Sequence, residues 1–364
     1  MRMRLAYLLT ALLTAVLPAL AAKPPKVQWT KTFAGWGNAQ GYCVQQTSDG
    51  GYIAVGTTSS ADSTPTYAVL LVKLYASGDT QWVRTFKAAG GMMGSSVVQT
   101  SDGGYIVAGG AGAADRGHWD PCLLRISASG NELWRSLLAN LFSAQACSVV
   151  RLGDTAYTVV AQRYYGDNAV ILWRTGSMGD LRWTHAYNIF YGYDDPNELA
   201  LCRTSDGGYI VGTKTLLKVD SLGAQPQLKT YSSLGNASSV VQTSDGGYAA
   251  TGMTSDYSSI YLLKTNANLD IVWGKLYSPS EWSRGQWVEQ TTNGGYIICG
   301  TTRPGNGDDK LTLVRTSSNG DTVWTDTPFY GDGYCVRQTA DEGYVVTGES
   351  GGLFVTKFAA EGKR

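Results

Sequence analysis

Apolar and polar residues alternate along this chain in short runs, such as 51–58, Tyr67–Leu74 and Thr80–Phe86, and each run stops at glycine, aspartate or serine. Alternation with period two, in runs rich in valine, tyrosine, threonine and tryptophan, predicts half-buried and buried β-strands. After residue 22 no stretch sustains the helical period. The pattern therefore predicts an all-β protein.

The runs recur. Thr-Ser-Asp-Gly-Gly-Tyr ends at Tyr52, Tyr105, Tyr209 and Tyr248, and weaker copies end at Tyr157, Tyr296 and Tyr344. The intervals between these tyrosines are 53, 52, 52, 39, 48 and 48 residues, a period that suits a four-stranded propeller blade. In the first copy the strands are A (41–47), B (51–58), C (Tyr67–Leu74) and D (Thr80–Phe86). Ser-Asp-Gly-Gly joins A to B, and Ala76-Ser77-Gly78-Asp79 joins C to D; both suit the positive φ of tight hairpins. Two strands fall outside this scheme. Val27–Phe33, with Trp29, reads as a D strand with no blade before it, and the last copy (333–358) ends after strand C. Each supplies what the other lacks, which predicts a seven-bladed β-propeller whose N-terminal strand closes the last blade and leaves no open sheet edge. Blade 4 departs from the pattern. Only a short hairpin around Thr213-Lys214 fits between its B and C strands, and Gln227 stands where other D strands carry tryptophan.

The N-terminus changes the picture of where this ring works. Arg2 and Arg4 precede an apolar stretch at 5–17, too short to span a bilayer, and Ala19-Leu20-Ala21 presents small residues at a cleavage position. Residues 1–22 are expected to be a signal peptide and 23–364 a single exported propeller, found outside the cell, in a periplasm or at the cell surface. Lysine plus arginine and aspartate plus glutamate both number 29; without Arg2 and Arg4 the balance is 27 against 29, a net of −2. No basic run answers the need of a nucleic-acid binder, and no later segment is apolar enough to cross a membrane. A monomer is expected.

The motif residues Thr47, Asp49, Gly50, Gly51, Tyr52 and Gly56, then Leu71 and Lys73, then Gly78 and Trp82, resemble the repeats of secreted bacterial and archaeal β-propeller proteins. The glycine-to-tryptophan spacing, seen again at Gly130 and Trp134, Gly179 and Trp183, and Gly320 and Trp324, is similar to the tryptophan-docking motif of quinoprotein propellers. The resemblance covers nearly all of the exported chain and implies the fold. It implies no activity, because propellers host unrelated functions. Quinoprotein enzymes use adjacent cysteines and a calcium site beside the quinone. This chain has no Cys-Cys pair and seven repeats where those enzymes typically have eight, so no cofactor is expected.

Seven cations share one position in strand C: Lys73, Arg125, Arg174, Lys218, Lys264, Arg315 and Lys357. Pairing Gly212 with Thr215 in the blade 4 hairpin sets Lys218 opposite Tyr209, and the same register puts each cation beside its own blade's tyrosine, in a cation–π contact or in reach of the turn aspartate. The structural role is favoured over a ring of charges for an anionic ligand. The glycines four residues after most of these tyrosines, Gly56 among them, mark a bulge or close approach, and the tryptophans are expected to pack between blades, over such a flat spot. Of the six cysteines, Cys43 and Cys335 hold one repeat position in adjacent blades; equivalent side chains point the same way around a ring, so these two are not expected to face each other. Cys122 and Cys299 read as small buried hydrophobes, and without a Cys-x-x-Cys pair zinc is not indicated.

Catalytic signals are thin. The two histidines, His118 and His185, lie far apart in the repeat, and no nucleophile elbow or paired-histidine motif occurs. Asp194, Asp195, Asn197 and Glu198 could gather around calcium, but a solvated turn is the favoured reading, because nothing fixes a ligand geometry. Loop length is more informative. The A–B and C–D turns are short and share one face, whereas the D–A and B–C links are long, varied and aromatic. Binding residues concentrate on such loops, which nominates Trp36, Trp119, Tyr191 and Trp282 near the channel mouth. The expected function is a secreted or cell-surface, non-catalytic propeller that binds a glycan or a protein through the long-loop face. The alternatives are a quinone-dependent or hydrolytic enzyme working at the same mouth and a structural envelope component.

Overall fold

The computed structural model describes residues 22–362, except 35–37, 61–65, 113–118, 139–143, 154, 164–168, 190–198, 232–233, 279 and 306. Residues 1–21 of the expected leader, Trp36, Tyr191, His118 and the acidic loop at 194–198 thus lie outside the described residues. The rest forms twenty-eight strands, β1 to β28 in chain order, in seven antiparallel sheets of four. Blade 1 is β2 (Asn38–Gln46), β3 (Tyr52–Ser59), β4 (Tyr67–Leu74) and β5 (Thr80–Phe86). Blades 2 to 6 follow at 92–137, 144–187, 200–230, 234–277 and 282–326. Blade 7 takes β26 (Asp332–Gln338), β27 (Tyr344–Glu349) and β28 (Leu353–Phe358) from the C-terminal end and β1 (Val27–Phe33) from the other. β1 runs antiparallel to β28, with Lys31 opposite Val355 and Phe33 opposite Leu353, and the Ala359 amide donates to the Lys26 carbonyl at 2.9 Å. The fold is a seven-bladed β-propeller closed by its N-terminal strand.

Burial follows from the apolar pattern. The middle strands β3 and β4 are buried on both faces, apart from one end residue each, because neighbouring blades cover both. The outer strand β1 alternates between exposed and half-buried positions. Tryptophan fills every seam but the one between blades 4 and 5. Trp82 of blade 1 meets Tyr105 of blade 2 edge-on at 6.0 Å, and Trp29, Trp183, Trp273 and Trp324 meet the next blade's tyrosine at 5.5–6.3 Å. These edge-to-face pairs add to the area they bury. The flat spot under each ring is not the strand-B glycine but the glycine of the next blade's C–D turn. A Cβ on Gly78 would lie 2.5 Å from the Trp29 ring, and Gly130, Gly179, Gly223 and Gly320 stand in the same relation to Trp82, Trp134, Trp183 and Trp273. Gly56 has another task. It faces the bulge between Gly41 and Cys43, where a Cβ would run into the Gln40 carbonyl.

The exception is self-consistent. Blade 4 carries Gln227 in place of tryptophan, and the C–D turn of blade 5 carries Leu269 in place of glycine. Leu269 adopts a left-handed φ of 66° and is 2% exposed. Its side chain occupies the seam that a tryptophan would fill, and the Tyr231 hydroxyl donates to its carbonyl at 2.7 Å.

A further expectation is corrected. The strand-C cations do not sit beside their own tyrosines. Lys73 is opposite Ile53, Arg125 opposite Ile106, Arg174 opposite Thr158, Lys218 opposite Ile210, Lys264 opposite Ala249, Arg315 opposite Ile297 and Lys357 opposite Val345. The tyrosine, one residue earlier, points to the other face. The cause is the blade 4 hairpin. Its link has three residues, because the Thr215 amide donates to the Thr213 hydroxyl at 2.8 Å, so Tyr209 pairs with Val219. The cations instead reach their turn aspartates: Lys73 to Asp49 at 2.8 Å, Arg125 to Asp102, Lys218 to Asp206, Lys264 to Asp245 and Lys357 to Asp341 at 2.5–3.2 Å. In blade 6, Arg315 donates to Asn293 at 2.6 Å. Lys218 meets a tyrosine ring across the seam, that of Tyr248 at 5.8 Å. Cys43 and Cys335 point the same way around the ring, as expected: Cys43 Sγ donates to the Val97 carbonyl of blade 2 at 3.8 Å, and Cys335 Sγ donates to the Val44 carbonyl of blade 1 at 3.6 Å.

Candidate functional site: the axial cavity

The A strands of all seven blades surround a cavity of ≈ 300 Å³ on the ring axis. Their short side chains leave the space open. Ser95 and Ser96 come from blade 2, Ser148 from blade 3, and Ser238 and Ser239 from blade 5. Larger groups enter it at a few places, and these are where strand A departs from the repeat.

The last residue of strand A shows the departure most clearly. In five blades it is glutamine, and its side-chain oxygen accepts from a backbone amide in the preceding blade's A–B turn: Gln46 from Ala340, Gln99 from Ser48, Gln242 from Ser205, Gln290 from Ser244 and Gln338 from Thr292, at 2.6–2.8 Å. In blades 3 and 4 this position is Arg151 and Arg203, both exposed at the short-turn mouth of the cavity. Two consecutive seams thus give up the neutral staple for a guanidinium.

Arg337 lies deeper, at the next inward-facing position of blade 7. Its guanidinium stacks over the Trp287 ring at 4.4 Å and stands 3.9 Å from Glu289, while its Nε makes no hydrogen bond. Burial pushes the Glu289 carboxyl up, against the pull of Arg337 and of the Gln338 amide that donates to it at 3.2 Å. Arg284 enters from the long-loop side, and burial pushes the Asp332 carboxyl up against the weaker downward pulls of Thr301 and Arg284. Tyr42 and Tyr334 meet across the seam between blades 7 and 1, with ring centroids 5.2 Å apart. The Tyr42 hydroxyl donates to Gln40, and Gln40 donates to Glu349.

Among the described residues, the cavity wall therefore carries four arginines and no carboxylate. Glu289 and Asp332 stand behind it, and burial moves both toward their neutral forms. A guanidinium in a site of reduced dielectric attracts an anion strongly and offers a fork that fits a carboxylate or phosphate. The serines and the Trp287 face add hydrogen bonds and an apolar wall.

Of the four aromatics nominated from the sequence, Trp36 and Tyr191 fall outside the described residues. Trp119 and Trp282 lie on the long-loop face, in blades 2 and 6, and neither lines the cavity. Trp119 meets Tyr67 edge-on at 6.0 Å, and Trp282 carries the Arg303 guanidinium over its ring at 5.2 Å. Both are half-buried. The arginines of the cavity were not singled out in the sequence, although a signal was present. Gln46, Gln99, Gln242, Gln290 and Gln338 share one repeat position, and Arg151 and Arg203 break the series.

No family model matches this sequence, and no curated protein matches it. Among solved structures, the chain is similar to the WD40 β-propeller domain of Doa1, with a TM-score of 0.61 at 13% identity over 91% of this chain and 96% of that one. It is also similar to YCF48 bound to D1 peptide, with a TM-score of 0.59 at 12% identity over 95% of this chain and 99% of that one. Identities this low show a shared fold.

Proposed function

We propose that this chain is an exported, non-catalytic binding scaffold that takes an anionic segment of a protein partner into its axial cavity. The observation that carries this reading is the set of four arginines, with no carboxylate among the described lining residues, on a wall otherwise built of serines, aliphatic side chains and aromatic rings. A peptide with acidic side chains or a free C-terminus matches that wall in charge and in the extended shape a narrow channel admits. The neighbour YCF48, seen with a D1 peptide, supports the reading by showing that a propeller of this fold can hold one. Export rests on the leader at 1–22.

Trp282 under Arg303, and Trp119 against Tyr67, favour a second reading, in which the long-loop face stacks on a glycan ring. The two are separable. An acidic peptide and its amidated, glutamine-substituted counterpart are titrated against the protein by calorimetry. The acidic peptide should bind more tightly. Arg203→Ala and Arg337→Ala should each weaken it about 10- to 100-fold, since a hydrogen bond to a charged group contributes about 1.5–3 kcal/mol. Trp119→Ala and Trp282→Ala should leave it unchanged. Equal binding of both peptides, or loss only in the tryptophan variants, refutes the cavity.

A further inference from the structure

We infer that the partner's segment is a C-terminus, held by its acidic end in the axial cavity and by an apolar side chain, about four residues before that end, in a radial groove on the short-turn face. This deepens the reading above and rests on it. Two columns of the repeat carry the inference. The first is the last residue of strand A, which is glutamine in five blades and arginine in blades 3 and 4, as Arg151 and Arg203. The second is the C–D turn residue just before the seam glycine or Leu269. In blades 1, 2, 5 and 6 it is Ser77, Ser129, Asn268 and Asn319. In blades 3 and 4 it is Met178 and Leu222, exposed at 70% and 62%. The same two blades thus depart from the repeat at both places, with a guanidinium at the axis and a large apolar side chain toward the rim. Core packing accounts for neither, since all four residues are exposed.

At the seam between blades 2 and 3 a groove of ≈ 440 Å³ spans from the A–B turn of blade 2 to the C–D turn of blade 3. Its inner end lies beside the cavity, for Tyr157 in its wall is the cross-strand partner of Arg151. Its outer end is lined by Met178 and by Leu133, which is 57% exposed on the outermost strand of blade 2. Between the ends Arg125 holds Asp102 through hydrogen bonds of 2.5 and 2.7 Å. That carboxylate disfavours an acidic residue along the groove, so the ligand's negative charge is confined to the arginine end and the outer groove takes an apolar residue. The spacing follows from the sheet. From strand A out to strand D is three strand spacings of about 4.8 Å, or about 14 Å. An extended chain covers that distance in about four residues.

The chain ends in the cavity. A volume of ≈ 300 Å³ equals the share of about ten waters in the liquid, too little for a chain that enters from the groove to turn and leave by it. Of the two possible ends, an α-ammonium would be repelled by the four arginines. An α-carboxylate adds a negative charge that a guanidinium fork fits.

The test titrates the full exported chain, by calorimetry, with peptides that end in two glutamates and carry one leucine in a glycine–serine spacer, at successive distances from the free C-terminus. Affinity should peak with the leucine about four residues from the end, about 10-fold above the leucine-free peptide. Met178→Ser and Leu133→Ser should each reduce that gain and leave the leucine-free peptide unchanged. Leu276→Ser, at a site on blade 5 that is 60% exposed, should change neither. A glycine–serine extension beyond the glutamates should weaken binding about 10-fold, by removing the terminal carboxylate from the arginines. A leucine-free peptide that binds as tightly as every leucine peptide overturns the groove and leaves the cavity reading standing. An extended peptide that binds unchanged overturns the C-terminal assignment. No binding by any of these peptides overturns the groove and the cavity together.

Discussion

The seam pattern makes a quantitative claim that two glycines can test. Gly50 and Gly78 both sit in tight turns of blade 1, with φ of 80° and 86°. A Cβ on Gly50 would meet nothing within 4 Å, whereas one on Gly78 would lie 2.5, 2.7 and 2.9 Å from three atoms of the Trp29 indole. Alanine at either site bears the cost of the left-handed region, about 1–2 kcal/mol. Part of this is offset by about 0.4–1 kcal/mol from the stiffer unfolded chain. Gly50→Ala should therefore destabilise by about 1 kcal/mol. Gly78→Ala must also displace a packed ring on the closing strand, which adds about 1–3 kcal/mol of overpacking for a total of about 2–4. Urea unfolding of both variants, followed by tryptophan fluorescence, measures the difference. Equal destabilisation would refute the proposition that the ring is held by tryptophan docking on this turn. A Trp29→Ala, Gly78→Ala double variant should show that the two changes are not additive.

Three further outcomes follow from other parts of the ring. Deleting residues 23–33 strips β1 from β28 and should lower the melting temperature sharply, measured by calorimetry; an unchanged value would show that the ring does not depend on this closure. Acid should weaken the turns. The Lys264 ammonium and Thr243 hydroxyl hold Asp245 at about 2, the Thr100 hydroxyl and Arg125 do the same for Asp102, and at Asp49 Lys73, Thr47 and Gly51 outweigh burial to reach about 2. Carboxylates depressed in the fold stabilise it above their unfolded values and lose that stabilisation as pH falls toward 2. Urea midpoints at pH 7, 4 and 2.5 should decline in that window, and Asp245→Asn, which copies the natural Asn293, should shallow the decline. At the blade 4–5 seam, Gln227→Trp should destabilise alone by colliding with Leu269, and Leu269→Gly should rescue it. Additive effects in unfolding titrations would show that the two sites do not share one space.

The ring was legible because its signals are redundant. Seven tyrosines at a blade's spacing, one surplus strand and one missing strand specify the closure, and no single misread residue could undo it. Register was less legible. The Thr213 side chain makes one extra turn residue, and that local hydrogen bond moves Tyr209 from Lys218 to Val219. The cavity is less legible in the sequence than the long, variable loops. Its walls are strand A, where the informative residues are substitutions within an otherwise uniform column, Arg151 and Arg203 in place of glutamine. Trp36 and Tyr191 belong to the loops outside the described residues, and Trp119 and Trp282 stand where the loop pattern put them.

The hydrogen bond from Ala359 to Lys26 also bears on how the chain can be rewired. It leaves the two ends of the ring side by side. A linker of a few residues would join them, and the polypeptide could then be cut at another C–D turn, such as 127–131 in blade 2, to give a circular permutant with the same twenty-eight strands. The strand at Glu132–Leu137 would take over the part now played by β1, and the breach would move to the junction of blades 2 and 3. The propeller has no inherent first blade; its weak point is set by where the ribosome starts.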